Sequence, residues 1–286
     1  MGMQDRKRLT GITADAFVSD ADKWALDKLK KLPLLPQVVQ KFFDLGFDRW
    51  MYCFNMSMSV RCGPNQYPTL YNILRESAAI LDMPEPELYV TNNPFPNAFA
   101  GGVERPYITL RSSMVETLTD EQLYQLIGHE LAHIKAGHVL YFSVYMVLYQ
   151  LLDGLGRRIP VVGDAASIGL ILAFYEWSRQ AEFSADRGGM LVCQSLDTSI
   201  DSMIAMTAGP SRLRHELNRE AFMDQARVYH DMPMPDALGK LVVWWLIGHM
   251  YTHPMPVHRA QQMERWVQSG NYERILEGDY ARVKAS

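Results

Sequence analysis

A chain of 286 residues, 48% of them hydrophobic, is long enough to bury one large core or two small ones. Its net charge of −4, with no basic stripe interleaved with aromatics, excludes a nucleic-acid footprint. The three cysteines, Cys53, Cys62 and Cys193, are too sparse for a disulfide framework and fit a reducing compartment such as the cytoplasm, although Cys53 and Cys62 lie near enough in sequence to bridge.

The N-terminal stretch MGMQDRKRLTGITADAF carries charges but not the apolar run of a signal peptide. Residues 14–31 read as an amphipathic helix closed by Pro33 and Pro36, and a second helix covers 37–49. RCGPNQYP (61–68) is a loop, and a helix follows over 69–81. The texture then changes. ELYV (87–90) and YITL (107–110) are short β-type runs on either side of the turn-rich NNPFPNAFAGGVERP, which predicts a sheet of two or three strands. After Thr119 the pattern is helical, over 120–137, 139–152, 165–193, 198–207, 212–228, 236–251 and 256–269, with DGLGRRIPVVGD (153–164) as a loop. No repeat, low-complexity tract or linker interrupts it. The expected fold is α+β and mainly α-helical. Residues 1–68 form an N-terminal helical region packing on the core, and 69–286 form the main domain of one compact unit.

Three apolar runs, 139–152, 167–177 and 241–251, are candidates for membrane spans. The longest has 14 residues, short of the roughly 20 that a span needs. They read as core helices, Trp244 and Trp245 among their residues. Shallow membrane contact through a 139–177 hairpin is the alternative. The 17 methionines read as core gap-fillers.

The chemistry concentrates in GHELAH (128–133). Thr119 and Gln122 form a capping box that starts the surrounding helix. Four residues apart, His129 and His133 share a face within reach of one ion. Leu123, Ile127, Leu131 and Ile134 make an apolar stripe, and Glu130 falls on its edge. A carboxylate there is costly without a partner, and a metal-bound water supplies one. A third ligand must come from elsewhere, because catalytic zinc takes three protein ligands and leaves one position open. His138 is off by one from the spacing H-E-x-x-H-x-x-G-x-x-H, and a role at the helix C-terminus suits it better. In WSRQAEFSADRGG (177–189), Glu182 and Asp186 are four apart on a helix. Glu182 completes a His/His/Glu set for one Zn2+, and Asp186 accepts the free N–H of a ligating imidazole. The competing reading is a solvated face of ion pairs. Arg179 and Arg187 read as surface ion-pair partners.

Taken together, these residues resemble the HtpX-like and CAAX-prenyl-protease-like zinc metallopeptidases of the gluzincin type. The resemblance spans roughly 85–265. It rests on NAFAGG (97–102), YITLRSSMVETLTDEQLYQLIGHELAHIKAGH (107–138), RQAEFSADRGG (179–189) and THPMPVHRAQQM (252–263). It implies a gluzincin-like fold with a small sheet beside the active-site helix, and zinc held by His129, His133 and Glu182. By the same resemblance Glu130 is the general base, Asp186 orients a ligand histidine, and His253 helps hold the oxyanion. Asn97, Ala98, Phe99 and Ala100 form the strand against which an extended peptide lies. His258 has no counterpart role and falls to the surface or to local structure. Membrane-embedded members carry long spanning helices. Here 48 residues separate His133 from Glu182, with short, broken apolar runs, which suits a cytoplasmic protein or one peripheral to a membrane. The expected activity is zinc-dependent endopeptidase cleavage of peptides or unfolded proteins. An exopeptidase, or a latent or non-catalytic zinc protein, is the alternative.

Overall fold

The computed structural model describes residues 6–32, 35–145, 165–209, 212–233 and 255–283. The first expected helix is a 3-10 turn, Ala14–Ala16, followed by α1 (Asp20–Lys30). The division comes from Ser19, whose hydroxyl accepts the amide of Asp22 and so sets a new N-cap. The expected helix over 37–49 is two, α2 (Leu35–Asp44) and α3 (Phe47–Met58), separated where Gly46 turns left-handed at φ 62°. Beyond β1 (Val60–Arg61), α4 (Pro68–Ile80) begins with proline in its first turn, where a missing amide costs nothing.

The sheet has four strands rather than two or three. β2 (Glu87–Thr91), β3 (Ala98–Gly101) and β4 (Tyr107–Arg111) join β1 in the order β1-β2-β4-β3. β2 and β4 run parallel, and the other pairs are antiparallel. β3 therefore stands at an edge. β1 is two exposed residues held by backbone pairing, so it offers no alternation to read.

α5 (Ser112–Thr117) leads into α6 (Asp120–Lys135), the helix of GHELAH. A further helix, α7, runs over 138–145 within the described residues, and α8 (Ala165–Cys193) crosses α6 at the centre of the molecule. α9 (Leu196–Ala208) follows. The expected helix over 212–228 is a 3-10 turn and then α10 (Arg219–Asp231), begun by the Asn218 cap. α11 (Pro256–Gln268) and the short α12 (Asn271–Leu276) close the chain.

Glycine allows the central crossing. A Cβ at Gly128 would lie 2.6 Å from that of Val192, and one at Gly188 would lie 2.3 Å from that of Ala132. Around the crossing, Leu74, Ile108, Leu110, Ile127, Leu131 and Met190 form the main core. A second core joins Ala25 and Leu29 of α1 and Leu35 and Phe42 of α2 to Val144, Leu170, Phe174 and Trp177. Val144 of α7 and Leu170, Phe174 and Trp177 of α8 are thus spent on packing against the N-terminal helices. Among the described residues, no helix is long and apolar enough to cross a membrane. The expected helix over 236–251, with Trp244 and Trp245, and the end of the 139–152 run lie outside the described residues. All three cysteines are free thiols, so Cys53 and Cys62 do not bridge.

Candidate metal centre

The capping box closes from both sides. Gln122 N donates to Thr119 Oγ1 at 3.3 Å, and Thr119 N donates to Gln122 Oε1 at 3.0 Å. About two turns further along the helix, the face turned to α8 carries His129 and His133, 4% and 5% exposed. Their Nε2 atoms are 3.1 Å apart. Glu182 of α8 brings Oε2 to 3.5 Å from His129 Nε2 and Oε1 to 3.4 Å from His133 Nε2. Bonds of 2.0–2.1 Å from one ion at tetrahedral angles would space their donors by roughly 3.3 Å. The three measured separations bracket that value, so His129, His133 and Glu182 fit one zinc ion. They form the metal-capable His/Cys/Asp/Glu cluster of the described residues.

The far sides of the two rings are held by different groups. His129 Nδ1 lies 3.0 Å from Asp186 Oδ1. Asp186 in turn accepts two hydrogen bonds from Arg259 of α11, from Nε at 2.8 Å and from Nη2 at 2.5 Å. Arg259 Nη1 also lies 3.6 Å from Glu182 Oε2. His133 Nδ1 faces His138 Nδ1 at 2.9 Å. His138 Nε2 lies 3.1 Å from Asp22 Oδ2, off the straight hydrogen-bond line, while Trp177 Nε1 donates to Asp22 Oδ1 at 3.0 Å.

His138 does not serve the end of α6. Gly137, at φ 73°, reverses the chain, and the ring turns back beneath His133, 1% exposed. Reading the sequence misses Asp22 and Arg259. A clue to Arg259 is that a buried Asp186 needs a cation. Asp22 looks like any polar residue of an amphipathic helix.

Burial works against charge throughout this cluster, and the neighbours decide the outcome. At His129, hydrogen bonds and charge from Asp186 and Glu182 overcome burial and push the pKa up to about 10. At His133 burial dominates, the help from Glu182 is partial, and the neighbouring His129 adds repulsion, so its pKa falls to about 4. Burial would raise Asp186, but Arg259 and His129 hold its carboxyl below the ordinary range. Asp22 is likewise held low against burial, by His138 first and then by Ser184 and Trp177.

Glu130, 3% exposed, lines a cleft of about 330 Å3 together with His133 and Glu182. Asn97, Ala98, Phe99 and Ala100 form one wall of it, so the edge strand runs beside the metal-capable residues. Phe42, Phe47 and Met51 of the N-terminal helices and Phe142, Tyr145 and Tyr175 make the rest largely apolar. His253 lies outside the described residues. Arg179 pairs with Glu176 at 3.3 Å. Arg187 departs from the expected surface ion pair, since it donates to Phe17 O and stands over the Trp266 ring. His258 is half-buried, its ring against Phe183 and its Nε2 3.1 Å from Gln262.

A family model described as Peptidase family M48 matches residues 64–267. Among curated proteins, the plastoglobule-localized metallopeptidase 48 of Arabidopsis thaliana is 30% identical over 271 residues, which cover 93% of this chain and 76% of that protein. Protease HtpX homologs of Burkholderia cenocepacia and Burkholderia multivorans are 30% and 29% identical over 196 residues, covering 58% of this chain and 69% of theirs. No solved structure matches.

Proposed function

The chain belongs to peptidase family M48, a family of metallopeptidases acting on peptides or proteins, and we propose that it is a zinc-dependent endopeptidase. One observation carries this reading. Three buried donors spaced 3.1–3.5 Å apart stand beside a buried glutamate at the floor of a cleft. His129, His133 and Glu182 would hold one zinc ion. When bound, zinc supplies Lewis-acid polarisation of the scissile carbonyl and acidifies the attacking water. Glu130 takes the proton of that water and hands it to the leaving amine. Asp186, itself fixed by Arg259, holds the tautomer of His129 in which Nε2 is free to bind metal. His253 is assigned the second contact to the oxyanion on the resemblance of its Thr-His-Pro segment.

The substrate lies extended along Asn97–Ala100, with its side chains against the apolar cleft wall. We assign residues 69–286 to the peptidase domain and 1–68 to a helical region packed on it, a packing supported by the core that α1 and α2 share with α7 and α8. The free thiols support a reducing compartment such as the cytoplasm.

Glu130→Gln is the test. The variant should keep one zinc per chain and lose about 10²–10⁴-fold in turnover of an unfolded protein, the range expected when a general base is removed. Cleavage should persist on N-acetylated, C-amidated peptides with the wild type, because an endopeptidase needs no free terminus. Full turnover by Glu130→Gln removes Glu130 from the chemistry, and cleavage confined to peptides with free ends makes the enzyme an exopeptidase.

A further inference from the structure

The polar contacts behind His133 run out of the peptidase core and end on α1 of the N-terminal region. Two facing Nδ1 atoms 2.9 Å apart, those of His133 and His138, have room for one proton between them. With Nε2 of His133 turned to His129 and Glu182 as a ligand, its proton sits on Nδ1 and is donated to His138. His138 must then accept at Nδ1 and carry its own proton on Nε2, which is the nitrogen 3.1 Å from Asp22 Oδ2. Asp22 is fully buried, with Ser184 and Trp177 as its other hydrogen-bonding neighbours. The opposite tautomer of His138 would set a lone pair against a buried carboxylate, a costly contact of two acceptors.

We propose that Asp22 is a positioning residue for the metal centre, acting through His138 to hold His133 in the one tautomer that leaves Nε2 free for zinc. The inference rests on the zinc-peptidase reading above and adds to it a residue from α1, outside the 64–267 stretch that the family model matches. α1 is held in place for the task. Asp22 N donates to Ser19 Oγ, Ser19 N donates to Ser184 Oγ on α8, and Trp177 pins Asp22 Oδ1.

The same geometry makes Asp22→Asn a pointed test. Trp177 needs an acceptor, so the amide oxygen faces Trp177 and the amide nitrogen faces His138. That nitrogen donates to His138 Nε2, turns His138 into a donor at Nδ1, and drives the His133 proton onto the ligand nitrogen. Zinc affinity, measured by competition with a chelating dye, should fall 10–100-fold. The d–d bands of the cobalt-substituted protein should change, while the Tm of the metal-free protein stays within a few degrees, about what a near-isosteric change allows. In a His138→Leu background, itself weakened for zinc, adding Asp22→Asn should cost nothing more. Unchanged zinc affinity in Asp22→Asn overturns the proposal, and so does an equal loss with and without His138. If Asp22→Asn does not fold, His138→Leu alone decides, with wild-type zinc affinity counting against the relay. Because the readout is zinc binding, a wild type that binds zinc but cleaves nothing overturns the endopeptidase reading alone.

Discussion

Glu130, Asp186 and Asp22 are carboxylates no more than 3% exposed, and burial of this kind is tolerated only with partners. Asp186 has Arg259 and His129, Asp22 has His138 and Trp177, and Glu130 faces the metal-capable cleft. His258 shows the same rule with the opposite sign. Burial first, then the nearby charges of Arg179, Arg265 and His230, lower its pKa from 6.5 to about 4. Between those values the unfolded chain binds a proton that the folded chain refuses. Stability from this ring is therefore complete above pH 6.5 and is lost as pH falls toward 4. A half-buried ring keeps only part of the full linkage, about 1 kcal/mol after screening by solvent. His258→Gln, which does not titrate, should show a shallower loss than wild type between pH 7 and 4.5 in urea unfolding of the metal-free protein. Parallel pH curves would remove His258 as a source of acid sensitivity. At this scale the metal-capable residues of α6 are legible because spacing of four on a helix is a geometric statement. Arg259 and Asp22 were not, because Arg259 meets Asp186 from 73 positions away and Asp22 meets His138 from a separate helix.

At the scale of elements, the site depends on how closely α6 and α8 approach. His129 and His133 come from one helix and Glu182 from the other, so the 3.4–3.5 Å separations between Glu182 and the two rings depend on a crossing that glycine permits. The glycines of GHELAH and RGG thus shape the metal-capable cluster as much as its donor residues do. In an exposed helix, Gly→Ala gains about 1 kcal/mol from backbone entropy. At Gly188 the new Cβ would sit 2.3 Å from Ala132 Cβ, and neither helix has a flexible side chain to move aside. Gly188→Ala should therefore destabilise the chain by about 1–3 kcal/mol, the cost of overpacking. A lower urea midpoint with an unchanged slope would register it, along with weaker zinc binding. A stabilised variant would show that the crossing has slack. The long helices α6 and α8 were plain from periodicity. β1 was not, since two exposed residues show no alternation, and the single helix read over 37–49 broke at a glycine whose left-handed turn no pattern marks.

At the scale of the molecule, the cleft is a joint product of regions far apart in sequence. Its floor is α6 and α8, one wall is β3, and Phe42, Phe47 and Met51 from the N-terminal helices form part of its apolar lining. The sequence pointed to the floor and to the Asn97–Ala100 segment, whereas the contribution of α2 and α3 depends on tertiary packing that no local pattern encodes. Among the described residues the sheet order leaves β3 with one free edge, and an edge strand presents unpaired N–H and C=O groups at every second residue. A substrate that adds to this edge must bond through alternate backbone groups of its own. N-methylating a good peptide substrate one amide at a time should therefore raise KM with period two along the segment beside β3, by about 5–10-fold per lost hydrogen bond of roughly 1 kcal/mol. Amides on the intervening residues point away from the strand and should tolerate the methyl group. A scan with uniform losses, or with none away from the scissile bond, would mean that the peptide is held by its side chains in the apolar cleft rather than by the strand.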